Sequence, residues 1–251
     1  MIDIHTHLLP GVDDGSPSIE ASVPVLERFG EGGVEVLVCT PHLDASRAAS
    51  APYERNREIL ARLVAAAPSV PKLLLGWEIM LDVPGANLTD PRLRLGDSNA
   101  VLVEFGRTSL PPSAADELFR LRTSGVVPVI AHPERYWGCT VDHVREWRRV
   151  GAVVQMDVSA MLGSKRMSSV AAGMLAEGLV DLVASDTHVD RRSLMAGRQW
   201  LEEAGGTEIA TLLTKENARR LLAGDDMIPV PPLRANRGML HRLRELVFGR
   251  S

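Results

Sequence analysis

Short runs of Val, Ile and Leu recur along the 251 residues, separated by amphipathic, helix-like segments. This alternation constrains the fold more than any other feature of the chain. Apolar runs too continuous for a half-solvated strand must be covered on both faces, and parallel strands joined by helical crossovers provide that cover. Seven runs are read as strands: 2–5, 34–40, 72–77, 100–105, 126–131, 152–157 and 179–185. Ser18, Ser113 and Ser193 stand where helix N-caps are expected. A closing helix over 215–222 is expected to stop at Gly224, because Asp225 to Pro232 is proline-rich and cannot continue it. The expected architecture is a single α/β domain over 1–224. A proline-rich linker and basic C-terminal tail over 225–251 should follow, the tail helical through Leu240, Leu243, Val247 and Phe248.

Polar residues interrupt the apolar runs at their C-terminal ends. His42 follows the second run, Glu78 the third, His132 the fifth, and Asp186 and His188 the seventh, while Glu104 closes the fourth. In a parallel α/β barrel these ends share one edge, where residues far apart in sequence become neighbours and active sites form. His5 and His7 lie two apart on the first strand, so both rings emerge on one face and can chelate. Asp3 shares that face one layer deeper and is expected to support a ligand histidine rather than coordinate directly. Five of the seven histidines fall at this edge. Any one alone reads best as a satisfied structural histidine; the set reads as a metal site.

Imidazole and carboxylate donors without thiolate suit Mn, Fe or Zn, and a carboxylate such as Glu104 can bridge two cations. Asp14, Glu78, Glu104 and Asp186 would bring four negative charges. Two divalent ions and a hydroxide leave such a site at about −1 and three leave about +1, which a phosphate dianion prefers. Asp13 and Asp14 sit in the glycine-flanked loop 10–15, which is expected to overhang the active edge.

The formal charge of −4 and pI near 6.0 give no global basic field, so a nucleic-acid partner is not expected. No apolar stretch reaches the ~18 residues of a membrane span, and the opening residues lack a signal peptide's basic and apolar regions. With two widely spaced cysteines, a reducing cytoplasmic setting is expected. A homo-oligomer remains open, and so does a docking or anionic-surface role for the basic tail.

The segments Asp3-Ile4-His5-Thr6-His7, Thr40-Pro41-His42, Gly76-Trp77-Glu78, Ala131-His132-Pro133-Glu134-Arg135-Tyr136 and Ser185-Asp186-Thr187-His188 together resemble the PHP family. The opening Leu8 to Ser16 and the Ala131 to Tyr136 segment are similar, more narrowly, to the bacterial protein-tyrosine phosphatases of capsular and exopolysaccharide gene clusters. The resemblance runs from residue 1 to about 223. It implies a distorted (β/α)7 TIM-like barrel, the PHP fold, usually manganese-dependent. It also implies removal of phosphate from the tyrosine-rich tail of a bacterial kinase that controls polysaccharide synthesis. On that basis His5, His7, Asp14, His42, Glu78, Glu104, His132, Asp186 and His188 are the expected ligands of two or three ions. Arg135 is the expected phosphate clamp, with Arg191 or Arg192 as a second. Activated water would attack phosphorus in line without a covalent enzyme intermediate; Arg135, His188 and Asp14 are the expected catalytic residues, with a metal-bound water or His188 supplying a proton where one is needed.

Two other enzyme readings compete. A PHP phosphatase of a small metabolite such as histidinol phosphate would have nearly the same metal site. Cys139 and Arg145 match the Cys-x5-Arg spacing of thiol-based phosphatases, but the intervening Thr140 to Val144 has no glycine to form an amide cradle and reads as a helix start. A third reading, from a different class, is a catalytically silent regulatory partner of a kinase. Cys39 is expected to be a buried small hydrophobe, Trp137 and Trp147 packing residues rather than substrate-stacking ones, and His143 and His241 helix-surface residues. Tyr136 and Trp137 lie beside Arg135, where a role in bordering a substrate ring is the alternative.

Overall fold

The computed structural model describes residues 1–108, 110–162 and 165–233. The order of elements is β1 (Ile2–Thr6), α1 (Ile19–Glu31), β2 (Val36–Cys39), β3 (His42–Asp44), α2 (Tyr53–Ala66), β4 (Lys72–Leu75), β5 (Glu78–Met80) and β6 (Ala100–Glu104). There follow α3 (Ala114–Thr123), β7 (Val127–Ala131), α4 (Val141–Arg149), β8 (Val153–Asp157), α5 (Val158–Leu162), α6 (Lys165–Ala176), β9 (Leu182–Ala184), α7 (Leu194–Thr211) and α8 (Asn217–Ala223). All strand pairings are parallel, in a three-stranded sheet β1-β2-β4 and a six-stranded sheet β3-β5-β6-β7-β8-β9.

The seven expected strands become nine because β-pairing resumes beyond two of them. β3 begins past Thr40-Pro41, at the end of the second run, and β5 past Gly76-Trp77, at the end of the third. Pro41 has no N–H to donate, which removes a ladder bond at the first of these gaps. Backbone bonds cross the breaks: Thr40 N–H donates to Thr6 O, Gly76 N–H to Cys39 O, and Glu78 N–H to Pro41 O. On the far side, Thr6 bridges Thr187 in parallel, Asp186 N–H donates to His5 O, and His7 N–H donates to Thr187 O. The chain segments just past β1 and β9 therefore lie side by side.

A small apolar cluster of Ile2, Ile4, Val38, Leu95, Ala100, Leu102, Val129, Ala131, Val153, Leu182 and Ala184 is completed by Ala218 and Leu221 of α8. Alternate residues of a strand share a face. Stepping by two from Ala100 and Leu102 reaches Glu104, and from Val153 it reaches Gln155 and Asp157, so this layer floors the polar residues above it. The larger cluster, with Leu26, Phe29, Leu37, Leu63, Trp77, Leu118, Trp147 and Leu201, lies between the strands and the helices.

The caps at Ser18 and Ser193 form, with their hydroxyls accepting from the N–H of Ala21 and Ala196. Ser113 precedes α3 but its side chain makes no capping bond. The final helix is a π-turn, Leu212–Glu216, running into α8, and Gly224 ends it in the left-handed conformation (φ 76°). The proline-rich stretch beyond is pinned to the fold. Asn217 exchanges side-chain bonds with Ile228, Leu233 N–H donates to Leu175 O, and Val230 is buried. The expected tail helix, with His241, lies outside the described residues.

Candidate metal centre

The centre is built on Glu78, at the start of β5 and 1% exposed. Its Oε1 lies 2.7 Å from His132 Nε2. Its Oε2 lies 3.3 Å from His5 Nε2, 3.2 Å from His7 Nε2 and 3.0 Å from His42 Nδ1. Asp186 Oδ1 approaches the same two rings from the other side, 3.4 Å from His5 and 3.1 Å from His7. Glu104 stands further off, 3.9 Å from both His42 and His132. At the rim, Asp14 Oδ1 lies 3.2 Å from His42 Nε2 and 3.4 Å from His188 Nε2. All nine residues read as ligands from sequence therefore meet in one place. The shared carboxylate is Glu78 rather than Glu104, because β5 resumes after the Gly76-Trp77 break directly beneath the imidazoles.

Ligand atoms gather within 4.8 Å of one another in four overlapping groups. These are His7, Asp14, His42 and His188; His5, Glu78 and His132; His5, His7 and Asp186; and His42, Glu78 and Glu104. An imidazole nitrogen has one lone pair, so groups that share a ring nitrogen are not independent sites.

Several observations fit cations here. Asp186 Oδ1, Glu104 Oε2 and His132 Nδ1 are buried without a hydrogen-bond partner, and such atoms are costly unless something satisfies them. Nε2 of His5 and of His7 face each other at 3.2 Å, so one proton at most can lie between two lone pairs. His132 and Asp186 hold left-handed backbone conformations (φ 32° and 48°) that side-chain-bearing residues rarely adopt. Strain of this kind gathers at functional sites.

The electrostatics match. Burial opposes charge on His5 and His7, but Glu78 and Asp186, helped at His7 by Asp13, outweigh it and hold both pKa values above the ordinary 6.5. Glu78 and Asp186 are buried too, yet the imidazoles, and Arg135 for Asp186, keep both well below the carboxylate range. Glu104 is pushed up to about 7 by burial and by repulsion from Glu78. Burial lowers His132 to about 4.

The supporting groups differ from those expected. Asp3 Oδ1 accepts from the backbone N–H of Ser185 (3.1 Å) and of His5 (3.4 Å), so it ties β1 to the chain just past β9, and among the described residues no hydrogen bond joins it to an imidazole. Gln155 Oε1 meets His5 Nδ1 at 3.0 Å, and Asp13 Oδ2 meets His7 Nδ1 at 2.8 Å. Each fixes its ring so that Nε2 faces the centre. Gln155 carried a signal, as the one amide inside an otherwise apolar run; Asp13 carried none beyond its neighbour Asp14.

Arg135 sits at 13% side-chain exposure, donating to Asp186 Oδ2 at 2.5 Å and pairing with Asp157. Asp157 ends the sixth run, the one strand end the sequence reading passed over. Arg192 donates to Asp186 Oδ2 (2.8 Å), His188 Nδ1 (2.7 Å) and Asp190 Oδ2 (2.7 Å). Arg191 is exposed with no side-chain partner among the described residues, so the arginine at the site is Arg192. Tyr136 turns inward, donating to Ala131 O and packing on Phe105 and Trp147, and is core rather than a substrate wall. Trp137 is 63% exposed. Cys139 and Cys39 are buried thiols pushed up to about 12, and Arg145 pairs with Asp142 and Glu177, so Cys139 is no nucleophile. His143 completes a capping box with Thr140 at the start of α4.

Parallel strands that deliver histidines and carboxylates to one edge, with arginines beside them, define a metal-site α/β protein suited to an anionic substrate. A family model described as capsular polysaccharide synthesis, CpsB/CapC, matches residues 1–223. The chain belongs to that family. It is 29% identical to tyrosine-protein phosphatase YwqE of Bacillus subtilis over 251 residues, covering 92% of this chain and 95% of that protein. It is also 29% identical to tyrosine-protein phosphatase CpsB of Streptococcus pneumoniae over 239 residues, covering 88% and 98%. Among solved structures it resembles that of YwqE and CpsB, described as unique metal-dependent tyrosine phosphatases, with TM-score 0.79 and 26% identity over 94% of this chain and 100% of the other. A dihydropyrimidinase from Brevibacillus agri shares the fold alone, at TM-score 0.50 and 12% identity.

Proposed function

We propose that the chain is a metal-dependent protein-tyrosine phosphatase of capsular or exopolysaccharide synthesis. Its substrate is the phosphotyrosine-bearing tail of a bacterial tyrosine kinase. The observation that carries this reading is the convergence of nine histidine and carboxylate side chains beside two arginines that both reach Asp186. His5, His7, Asp14, His42, Glu78, Glu104, His132, Asp186 and His188 would hold the cations. Manganese is the favoured metal, and three ions suit the charge of the four carboxylates better than two. Divalent cations, when bound, acidify water and polarise the phosphoryl group.

The residues of the chain do the rest. Gln155 and Asp13 hold the His5 and His7 rings in orientation. Arg135 and Arg192 now share Asp186, and their remaining donors supply a fork for phosphoryl oxygens. The phenolate leaving group needs little protonation, and His188 at the rim can assist. Asp14 is 71% exposed and the His42 side chain 36% exposed, so the centre is open on that side, as a protein-borne phosphotyrosine requires. With every expected ligand present and aimed inward, a silent regulatory role is disfavoured.

Residues 1–224 would form the phosphatase domain, with the proline-rich linker and basic C-terminal tail over 225–251 following it. The fold reading is a distorted seven-track barrel of the PHP kind, supported by the Thr6–Thr187 bridge. Among the described residues no helix is long and apolar enough to cross a membrane.

The test measures turnover of a phosphotyrosine peptide and of histidinol phosphate, with and without manganese, alongside metal analysis of the purified protein. Manganese-dependent turnover with the peptide preferred is expected. Faster hydrolysis of histidinol phosphate would reverse the substrate class, and metal-free, inactive, folded protein would refute the enzyme reading.

A further inference from the structure

Next to the metal centre lies a cavity of about 440 Å³, and His42 belongs to both. Its outer wall carries Arg47, from the 3-10 turn after β3, and Arg55, from the first turn of α2. Both guanidinium-bearing residues are exposed. Among the described residues neither has a carboxylate within ion-pair distance, although the chain as a whole is acidic. Three acids line the cavity, but Asp13 is paired with His7 and Asp14 with His42, so on the outer wall the two arginines stand against Asp44 alone.

Asn56, one residue beyond Arg55, also lines the cavity. It is 2% exposed, and its side-chain Oδ1 is buried without a hydrogen-bond partner. A buried amide oxygen left unmatched costs free energy that a donor from an incoming molecule would recover.

Two kinds of demand coexist in one space: cations that lack anions and an acceptor that lacks a donor. A free inorganic anion answers the first only. A peptide backbone supplies N–H donors, and acidic side chains supply carboxylates that guanidinium groups bind well. Since His42 and Asp14 are walls of both spaces, a chain leaving the metal centre on that side enters this cavity directly.

We propose that this cavity is the subsite for the peptide segment flanking the phosphotyrosine. Arg47 and Arg55 select acidic side chains next to the phosphorylated residue, and Asn56 accepts from the peptide backbone. This rests on the phosphotyrosine reading of the metal centre and adds to it a sequence preference.

The experiment compares kcat/KM for three phosphotyrosine peptides that differ only in the flanking residues, Glu, Gln or Lys, with 4-nitrophenyl phosphate as a substrate that has no flanking chain. Wild type is expected to favour the Glu peptide over the Gln peptide about tenfold, comparable to a charge-assisted hydrogen bond or two. The ratio should shrink as salt rises. In the Arg47→Ala/Arg55→Ala protein the ratio should fall to about one, and in Arg47→Glu/Arg55→Glu the Lys peptide should lead. Salt dependence of the wild-type ratio stands in if a variant does not fold. Equal rates on all three peptides by a wild type that turns over 4-nitrophenyl phosphate overturn the proposal and leave the phosphatase reading intact. No turnover of any substrate with manganese present sinks both.

Discussion

Glu78 meets four imidazoles while Glu104 meets two at longer range. The two carboxylates are therefore not equivalent, although they look alike in sequence. Glu104→Ala should cost at least about a hundredfold in manganese-dependent turnover, as expected for a central ligand. Glu78→Ala should lose at least as much and also the larger share of bound metal, read by elemental analysis. The two neighbouring arginines part in the same way. Arg192→Ala is expected to raise KM for a phosphotyrosine peptide about tenfold or more, whereas Arg191→Ala should stay within about twofold. Equal effects would mean that the observed rotamers do not describe the substrate-bound protein. Cys139→Ser should spare activity, since burial holds that thiol protonated at neutral pH.

The loop after β1 places Asp13 and Asp14 against the first strand, and Gly15 makes that possible. A Cβ at Gly15 would sit 2.1 Å from His7 O and 2.4 Å from His7 Cβ, backbone and near-backbone atoms that cannot swing aside. The loop returns through Ser16 N–H to His7 O, while Gly15 N–H donates to Asp13 Oδ1. Gly15→Ala must push the loop from His7 and with it the Asp13 carboxylate that orients the His7 ring. The expected result is a loss of about 1–3 kcal/mol in stability, typical of overpacking, and weaker metal binding, measured by denaturant unfolding and metal titration. Retention of both would show that the loop can be displaced without moving His7. Breaks in strands act in the opposite sense: Thr40-Pro41 and Gly76-Trp77 interrupt β-pairing, and His42 and Glu78 begin the strands that resume beyond them.

At the scale of the molecule, the metal-free centre is a network of charges, most of them buried, and folding stability should follow its titration. His5 and His7 have folded pKa values raised above 6.5, so their contribution is fully present below 6.5 and is lost as pH rises through the folded values. Glu78 and Asp186 have folded values depressed below 4.5 and 3.8, so theirs is present above those values and is lost as pH falls through the folded ones. Metal-free protein should therefore melt highest in mildly acidic solution. Metal binding requires the imidazoles deprotonated, so affinity should rise with pH through and beyond 6.5, moving the optimum to neutral or alkaline pH in the presence of manganese. Melting temperature against pH, with chelator and with manganese, checks both arms. Coincident curves would mean that the cluster does not bind the cation.

The sequence by itself determined the parallel α/β order, the caps at Ser18 and Ser193, the stop at Gly224 and eight polar residues at the strand ends. Each of these is written in local chemistry: side-chain period, backbone freedom, or a polar residue ending an apolar run. Only the tertiary structure decided that Glu78 is the hub, that Arg192 rather than Arg191 turns inward, and that Gln155 and Asp13 hold the rings. It also decided that Asp3 serves the backbone, that Tyr136 is core, and that Arg47, Arg55 and Asn56 meet around one cavity. Those outcomes depend on distances between segments that lie tens of residues apart, set by how strands break, bulge and pack, and no spacing along one chain encodes them separately.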